Sequence, residues 1–224
     1  MVRVKICGIT DPGDAAACVE EGADALGFVV EFPQDNPWNL SRDRARVLMA
    51  AVPPFVTRVA VVGGEAAAIA ELAEATSPHV VQLHRDEPEA CVSELAGRLE
   101  GSGIRIVKAL RIEPAYNGPV SHWCDLARRF LDAGADAILL DAKAPGRPAG
   151  SGLSFDWAIA AAVVASCPAP FILAGGLAPG NVALAVETVR PFAVDVITSV
   201  EDAHHRKVRE RVRALIREAK GPAE

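Results

Sequence analysis

Cys7 closes a short apolar alternation (Val2, Val4, Ile6), is followed by Gly8, and precedes Asp11-Pro12-Gly13-Asp14, which opens a helix. Asp11 can cap that helix, Pro12 fits its first turn, and Asp14 adds favourable negative charge there. A strand that delivers a thiol just before a βα-loop has the layout of a barrel active site; the alternative is a small buried hydrophobe at a strand end. Asp141 ends another apolar strand, where a carboxyl can act as general acid or base. Its alternatives are a helix cap or an ion pair with Lys143 or Arg147. A thiol and a carboxyl on opposite sides of a substrate can divide proton removal from proton donation, and local positive charge would lower the thiol pKa toward that task. Gln82 and His84 alternate with Leu83 and share one face of a strand, to contact a ligand or to fill a polar layer. Gly175-Gly176 and Thr198-Ser199 end two late strands, where loops and a helix start commonly hold a phosphate group; a tight turn is the alternative for the glycine pair.

Eight strand–helix units position these residues. The apolar runs fall at residues 2–6, 23–30, 55–62, 79–84, 104–110, 135–141, 169–174 and 193–197. Helical segments lie between them, at about 12–21, from Arg42 behind a Ser41 cap, 65–75, from Glu87-Pro88, to about 133, 154–166 behind a Ser154 cap, 179–190 and 203–220. Such alternation over residues 1–224 predicts a single (β/α)8 TIM barrel. A doubly wound open sheet is the second choice, but Cys7-Gly8-Ile9-Thr10 is not the glycine fingerprint expected after its first strand. The entries Gly-Ala-Asp-Ala-Leu, Gly-Ala-Asp-Ala-Ile and Phe-Ala-Val-Asp-Val recur before the second, sixth and eighth strands.

The chain has 224 residues, half of them apolar, and a net charge of -6. That charge argues against nucleic acid or an anionic membrane as partner, though not against a phosphorylated small molecule, which local N–H groups can bind. Five scattered cysteines without a CxxC pair fit neither a disulfide framework nor a zinc site. No signal segment or membrane span is read, so a cytoplasmic protein is expected. The charged final segment, with Val208, Val212 and Leu215 as its apolar stripe, leaves monomer and homodimer both open.

Taken together, Val4-Lys5-Ile6-Cys7-Gly8-Ile9-Thr10, Gly27-Phe28, Val81-Gln82-Leu83-His84, Leu139-Leu140-Asp141, Gly150-Ser151-Gly152 with Phe155-Asp156-Trp157, Ala174-Gly175-Gly176-Leu177 with Asn181-Val182, and Val194-Asp195-Val196 resemble the phosphoribosylanthranilate isomerases of tryptophan biosynthesis. The resemblance implies an Amadori rearrangement without cofactor or metal, with Asp141 as general acid and Cys7 as general base. It also implies a phosphate site at Gly175, Gly176, Thr198 and Ser199. Three positions depart from the family pattern. Asn36-Pro37-Trp38 stands where the family has Ser-Pro-Arg, whose Arg meets the substrate carboxylate; Trp38 could stack on the ring but cannot pair with a carboxylate. Arg42, Arg44 and Arg85, the last in place of a Gly, are the cations left for that role. Ile197-Thr198-Ser199 replaces Ser-Ser-Gly, which keeps hydroxyl donors and loses a close backbone approach. The same chemistry on a different phosphoribosyl amine, or a phosphate-binding barrel with little catalysis, are the competing functions.

Overall fold

The computed structural model describes residues 1–142 and 154–221. Eight parallel strands close on themselves: β1 (Arg3–Ile6), β2 (Ala25–Val30), β4 (Thr57–Val62), β5 (Val80–Leu83), β6 (Arg105–Ile112), β7 (Ala137–Ala142), β8 (Phe171–Leu173) and β9 (Ala193–Val196). A two-residue β3 (Asn39–Leu40) adds to the end of β2. Closure comes from β1, which pairs with β2 on one side and β9 on the other. Around this barrel run α1 (Pro12–Glu20), α2 (Arg42–Ala50), α3 (Ala66–Thr76), α4 (Glu89–Arg98), α5 (Ser121–Asp132), α6 (Trp157–Ser166), α7 (Val182–Val189) and α8 (Arg209–Lys220). The expected (β/α)8 barrel is therefore present. Its strands read as nearly unbroken apolar runs because a parallel sheet wrapped by helices is buried on both faces.

The pleat sorts each strand into two sets of side chains. Val4, Ile6, Leu26, Phe28, Ile106, Leu110, Ile138, Leu140, Val194 and Val196 join the main core between barrel and helices. The intervening residues, Lys5 and Cys7, Val29, Gln82 and His84, Val107 and Ala109, Leu139 and Asp141, and Asp195, occupy the opposite face, inside the barrel and at its mouth. Cys7, Gln82, His84 and Asp141, singled out at strand ends, thus face one enclosure.

Several boundaries move from their expected places, each for a local reason. Phe55 lies outside β4, in a left-handed turn after Pro53-Pro54 with φ 70°, fully exposed. The cap of α6 is Asp156, which accepts from the Ala158 N–H at 2.9 Å, and not Ser154, because Phe155 must first be buried in the core. Residues 176–181 form a turn stapled by Asn181, so α7 starts at Val182. The closing helix begins at Arg209 rather than 203: Asp202 accepts from the N–H groups of His204 and Arg206, and Glu201 bridges back to Lys207. The Asp11 and Ser41 caps form as expected.

Lys108 points away from the mouth into the helix-facing layer, where its ammonium is 2.9 Å from Glu87 and donates to the carbonyls of Arg85 and Ala109. Burial pulls its pKa below the ordinary lysine value, against the attraction of Glu87. Glu87 also accepts from the Arg85 N–H at 3.1 Å, tying the loop after β5 to this pair. Glu87→Gln leaves the ammonium buried without its counter-charge and is expected to cost about 3–5 kcal/mol, read from urea unfolding.

Candidate active site

The site is assembled from strand ends around the mouth. Cys7 follows β1 and is held by its own N–H to the Val196 carbonyl at 2.8 Å. It is buried beside Val29, Phe32, Trp38, Val59 and Val61. Beneath it on the same face lies Lys5, whose ammonium is 2.7 Å from Asp195 on β9. Burial pushes the Cys7 thiol up from its ordinary value; Lys5 and Lys207 pull it down, Asp195 adds to the rise, and the net direction is upward. The positive charge looked for in the sequence is present, but burial and Asp195 outweigh it, so the thiol pKa is not lowered. For Lys5, burial opposes the charge, yet attraction from Asp195 and Cys7 prevails and holds the ammonium above its ordinary value.

Asp141 sits on β7, buried, with Oδ1 accepting from the Ala142 N–H at 2.8 Å. Its Oδ2 is 3.2 Å from His84 Nε2, a close contact that lies off the line of a formed hydrogen bond. On the far side of that ring, Gln82 Nε2 is 3.1 Å from His84 Nδ1. An amide N–H can only donate, so Gln82 assigns Nδ1 as acceptor and leaves the ring proton on Nε2, facing Asp141. The sequence left His84 between ligand contact and polar layer; the structure makes it the link between Gln82 and the carboxyl. Lys143, Arg147 and Gly150-Ser151-Gly152 lie outside the described residues.

Gly175 and Gly176 follow β8 with φ of 87° and 66°. Both angles suit glycine, and a Cβ on Gly175 would fall 2.8 Å from the Ala142 nitrogen and 3.0 Å from Asp141 Oδ1. Asn181 shapes the turn by donating to the Gly176 carbonyl and accepting from the Ala178 N–H. Thr198 and Ser199 form one 3-10 turn after β9, and Ser199 Oγ is buried without a partner among the described residues. These two loops lie side by side because β8 and β9 pair.

Trp38 is buried against Cys7's cluster, its Cδ1 2.8 Å from where a Gly8 Cβ would stand. Its indole N–H donates to Glu201 at 2.9 Å, and His205 meets its ring edge-on. Lys207, buried, donates to Glu201 and to the Cys7 carbonyl. Trp38 is thus built into the wall behind the thiol instead of standing free in the mouth. Arg42 is committed to Glu31 through two hydrogen bonds, and Arg44 reaches the Thr10 carbonyl. Arg85 crosses the end of β4, with Cγ and Cδ within 2.6 Å of a Gly63 Cβ position, and its guanidinium has no ion-pair partner among the described residues. Lys5, Asp195, Glu201 and Lys207 escaped the sequence reading. Lys5 and Asp195 were marked by their placement two residues before Cys7 and inside the last apolar strand, and Glu201 by closing the last stretch of the family resemblance; Lys207 carried no such signal.

Compared with known proteins, residues 4–218 match the family model described as N-(5'phosphoribosyl)anthranilate (PRA) isomerase. A relative from Geobacter sulfurreducens named N-(5'-phosphoribosyl)anthranilate isomerase is 44% identical, over 99% of this chain and all of its own. The crystal structure of phosphoribosyl anthranilate isomerase from Thermotoga maritima superposes with a TM-score of 0.83 at 35% identity, covering 99% of this chain and 100% of that one; monomers generated from that dimeric protein have also been crystallised. An isomerase solved with reduced 1-(o-carboxyphenylamino)-1-deoxyribulose 5-phosphate gives 0.80 at 34% identity, with 99% and 100% coverage.

The geometry makes its own test. Nitrogen-15 NMR of the imidazoles should show His84 in the Nε2–H form in the native protein, and Gln82→Leu should release it to a mixture of tautomers.

Proposed function

Because the chain belongs to the family of N-(5'-phosphoribosyl)anthranilate isomerases, we propose that Cys7 and Asp141 carry out the family's rearrangement as base and acid across the barrel mouth. The reaction converts N-(5-phosphoribosyl)anthranilate to 1-(2-carboxyphenylamino)-1-deoxyribulose 5-phosphate, a step of tryptophan biosynthesis. Asp141, carrying a proton, donates it to the furanose ring oxygen as the C1–O bond breaks and the nitrogen lone pair forms the iminium. Cys7, as thiolate, takes the C2 proton to give the enolamine. That species gains a proton at C1 and loses one from the C2 hydroxyl to become the ketone. His84 is a positioning residue, holding its Nε2–H toward the acid.

The observation that carries this reading is the order of strands. The glycine and hydroxyl loops end β8 and β9, and the strands flanking them are β7, with Asp141, and β1, with Cys7. A phosphate seated on Gly175, Gly176, Thr198 and Ser199 would direct the sugar between the two proton-transfer groups. The anthranilate would then point toward the opposite arc, the ends of β4 and β5, where Arg85 lies over Gly63. Arg85 is favoured for the carboxylate because Arg42 is already paired with Glu31. Trp38 and Arg42 then shape and brace the loop after β2 beside the substrate. The five free cysteines support a reducing, cytoplasmic setting, and no helix of the described residues is long and apolar enough to cross a membrane. For assembly we propose a monomer or a homodimer.

Steady-state turnover followed by loss of anthranilate fluorescence tests the assignment. Cys7→Ser and Asp141→Asn should each lose about a hundredfold or more in kcat; near-native rates in either would remove that residue from its role. Arg85→Met should raise KM about ten- to a hundredfold, as expected for loss of a charge-assisted pair, while kcat changes less.

A further inference from the structure

We propose that Lys5 and Asp195 act together as positioning residues that set the basicity of the Cys7 thiolate, with Gly27 keeping open the contact between Lys5 and the sulfur. This deepens the reading of Cys7 as base and rests on it.

Three observations meet at one point. Lys5 and Cys7 share a face of β1, and the β1–β9 register makes Lys5 and Asp195 direct partners across the closing pair of strands. The Lys5 ammonium is 2.7 Å from Asp195 Oδ2, both side chains buried, while Asp195 Oδ1 is buried without a partner among the described residues. Gly27 on β2 completes the arrangement. Its φ is not in the left-handed region, so backbone conformation does not require glycine there. A Cβ would fall 2.6 Å from Cys7 Sγ and 2.9 Å from Lys5 Nζ. The absent side chain leaves the space in which sulfur and ammonium come together.

The other charges facing the sulfur among the described residues are Lys207, on the Cys7 carbonyl, and its partner Glu201, which also takes the Trp38 indole N–H; β2 presents Gly27, Ala25 and Val29 to this cluster and β4 presents Val59 and Val61, all uncharged. Against this background the two members of the ion pair pull in opposite directions. An ammonium in contact favours the thiolate, and the nearby carboxylate disfavours it. With both present, ionisation is possible in a dry site while the thiolate remains a strong base. A strong base is what removal of a carbon-bound proton requires, because proton-transfer efficiency follows the pKa of the catalytic group. A lone lysine would make a more abundant and weaker base.

The experiment is a titration of Cys7 itself, by ultraviolet thiolate absorbance, each protein measured against its own Cys7→Ser counterpart so that the other four thiols cancel. Circular dichroism and gel filtration confirm the fold. Asp195→Asn should lower the Cys7 pKa by about one unit or more, and Lys5→Met should raise it by a similar amount. Gly27→Ala, which changes no charge, should shift it upward like Lys5→Met, and it carries the lysine arm of the test if Lys5→Met does not fold. Unchanged titration in these variants, or shifts of the same sign in Asp195→Asn and Lys5→Met, would overturn the proposal. Turnover is scored separately. Opposed pKa shifts in a protein whose Cys7→Ser form is fully active would sink the base assignment and leave the electrostatic coupling standing.

Discussion

Closure of the barrel by β1 against β9 is the constraint on which the site depends. A parallel barrel has no edge to leave unpaired, and its register fixes which side chains meet inside. Arg3↔Ala193 through Ile6↔Val196 is that register here, and it sets Lys5 opposite Asp195 with Cys7 one turn of the pleat above. A slip of one residue would send Lys5 and Cys7 into the helix-facing layer and turn Val4 and Ile6 inward. The cost of exposing an unpaired ammonium to that layer makes the register self-enforcing. The ion pair is thus a lock on closure as well as a neighbour of the thiol.

Buried charges elsewhere follow the same logic on both sides of the strands. Lys108 with Glu87 lies outside the barrel wall, Lys5 with Asp195 inside it, and Lys207 with Glu201 under the turn that leads to α8. Lys5 with Asp195 ties β1 to β9, and the other two pairs hold loops near the mouth. Glu87 holds the Arg85 backbone, Glu201 holds the Trp38 indole, and Lys207 holds the Cys7 carbonyl. Replacing such pairs by apolar residues is often neutral or favourable for stability. Their use at three points around one opening is better explained by positioning than by stability alone.

Much of this was legible in the sequence, and the reason is periodicity. Strand ends were readable because the apolar runs stop abruptly at Cys7, His84, Asp141 and Gly175, and a barrel gathers such ends at one face. Lys5 and Asp195 were harder because each sits inside a run that reads as strand without it. Their burial follows only from a partner 190 residues away. The closing helix was misjudged at its start because the charged stretch 203–208 has helical composition. The Asp202 side chain, and a left-handed His205 at φ 59°, turn it back so that Lys207 can be buried. Set against the family's Ser-Pro-Arg, Trp38 is expected at most to stack on the substrate ring. Its indole N–H needs an acceptor when buried, and the acceptor, Glu201, lies beyond any local pattern.

The two residues proposed as proton-transfer groups end in different surroundings although both close apolar strands. Asp141 has the Ala142 N–H against one oxygen and the edge of the His84 ring against the other. Cys7 has a dry apolar wall of Val29, Phe32, Trp38, Val59 and Val61, and a charge pair below it. A base that must take a proton from carbon benefits from a surrounding that keeps its anion poorly solvated and reactive. Trp38, at the place of the family arginine in the loop after β2, fills the wall behind the thiol, while Arg85, with no ion-pair partner among the described residues, lies over Gly63 at the end of β4. On the proposed reading, the departure therefore bears on where the substrate's carboxylate is held, while the two groups proposed to move protons keep their surroundings.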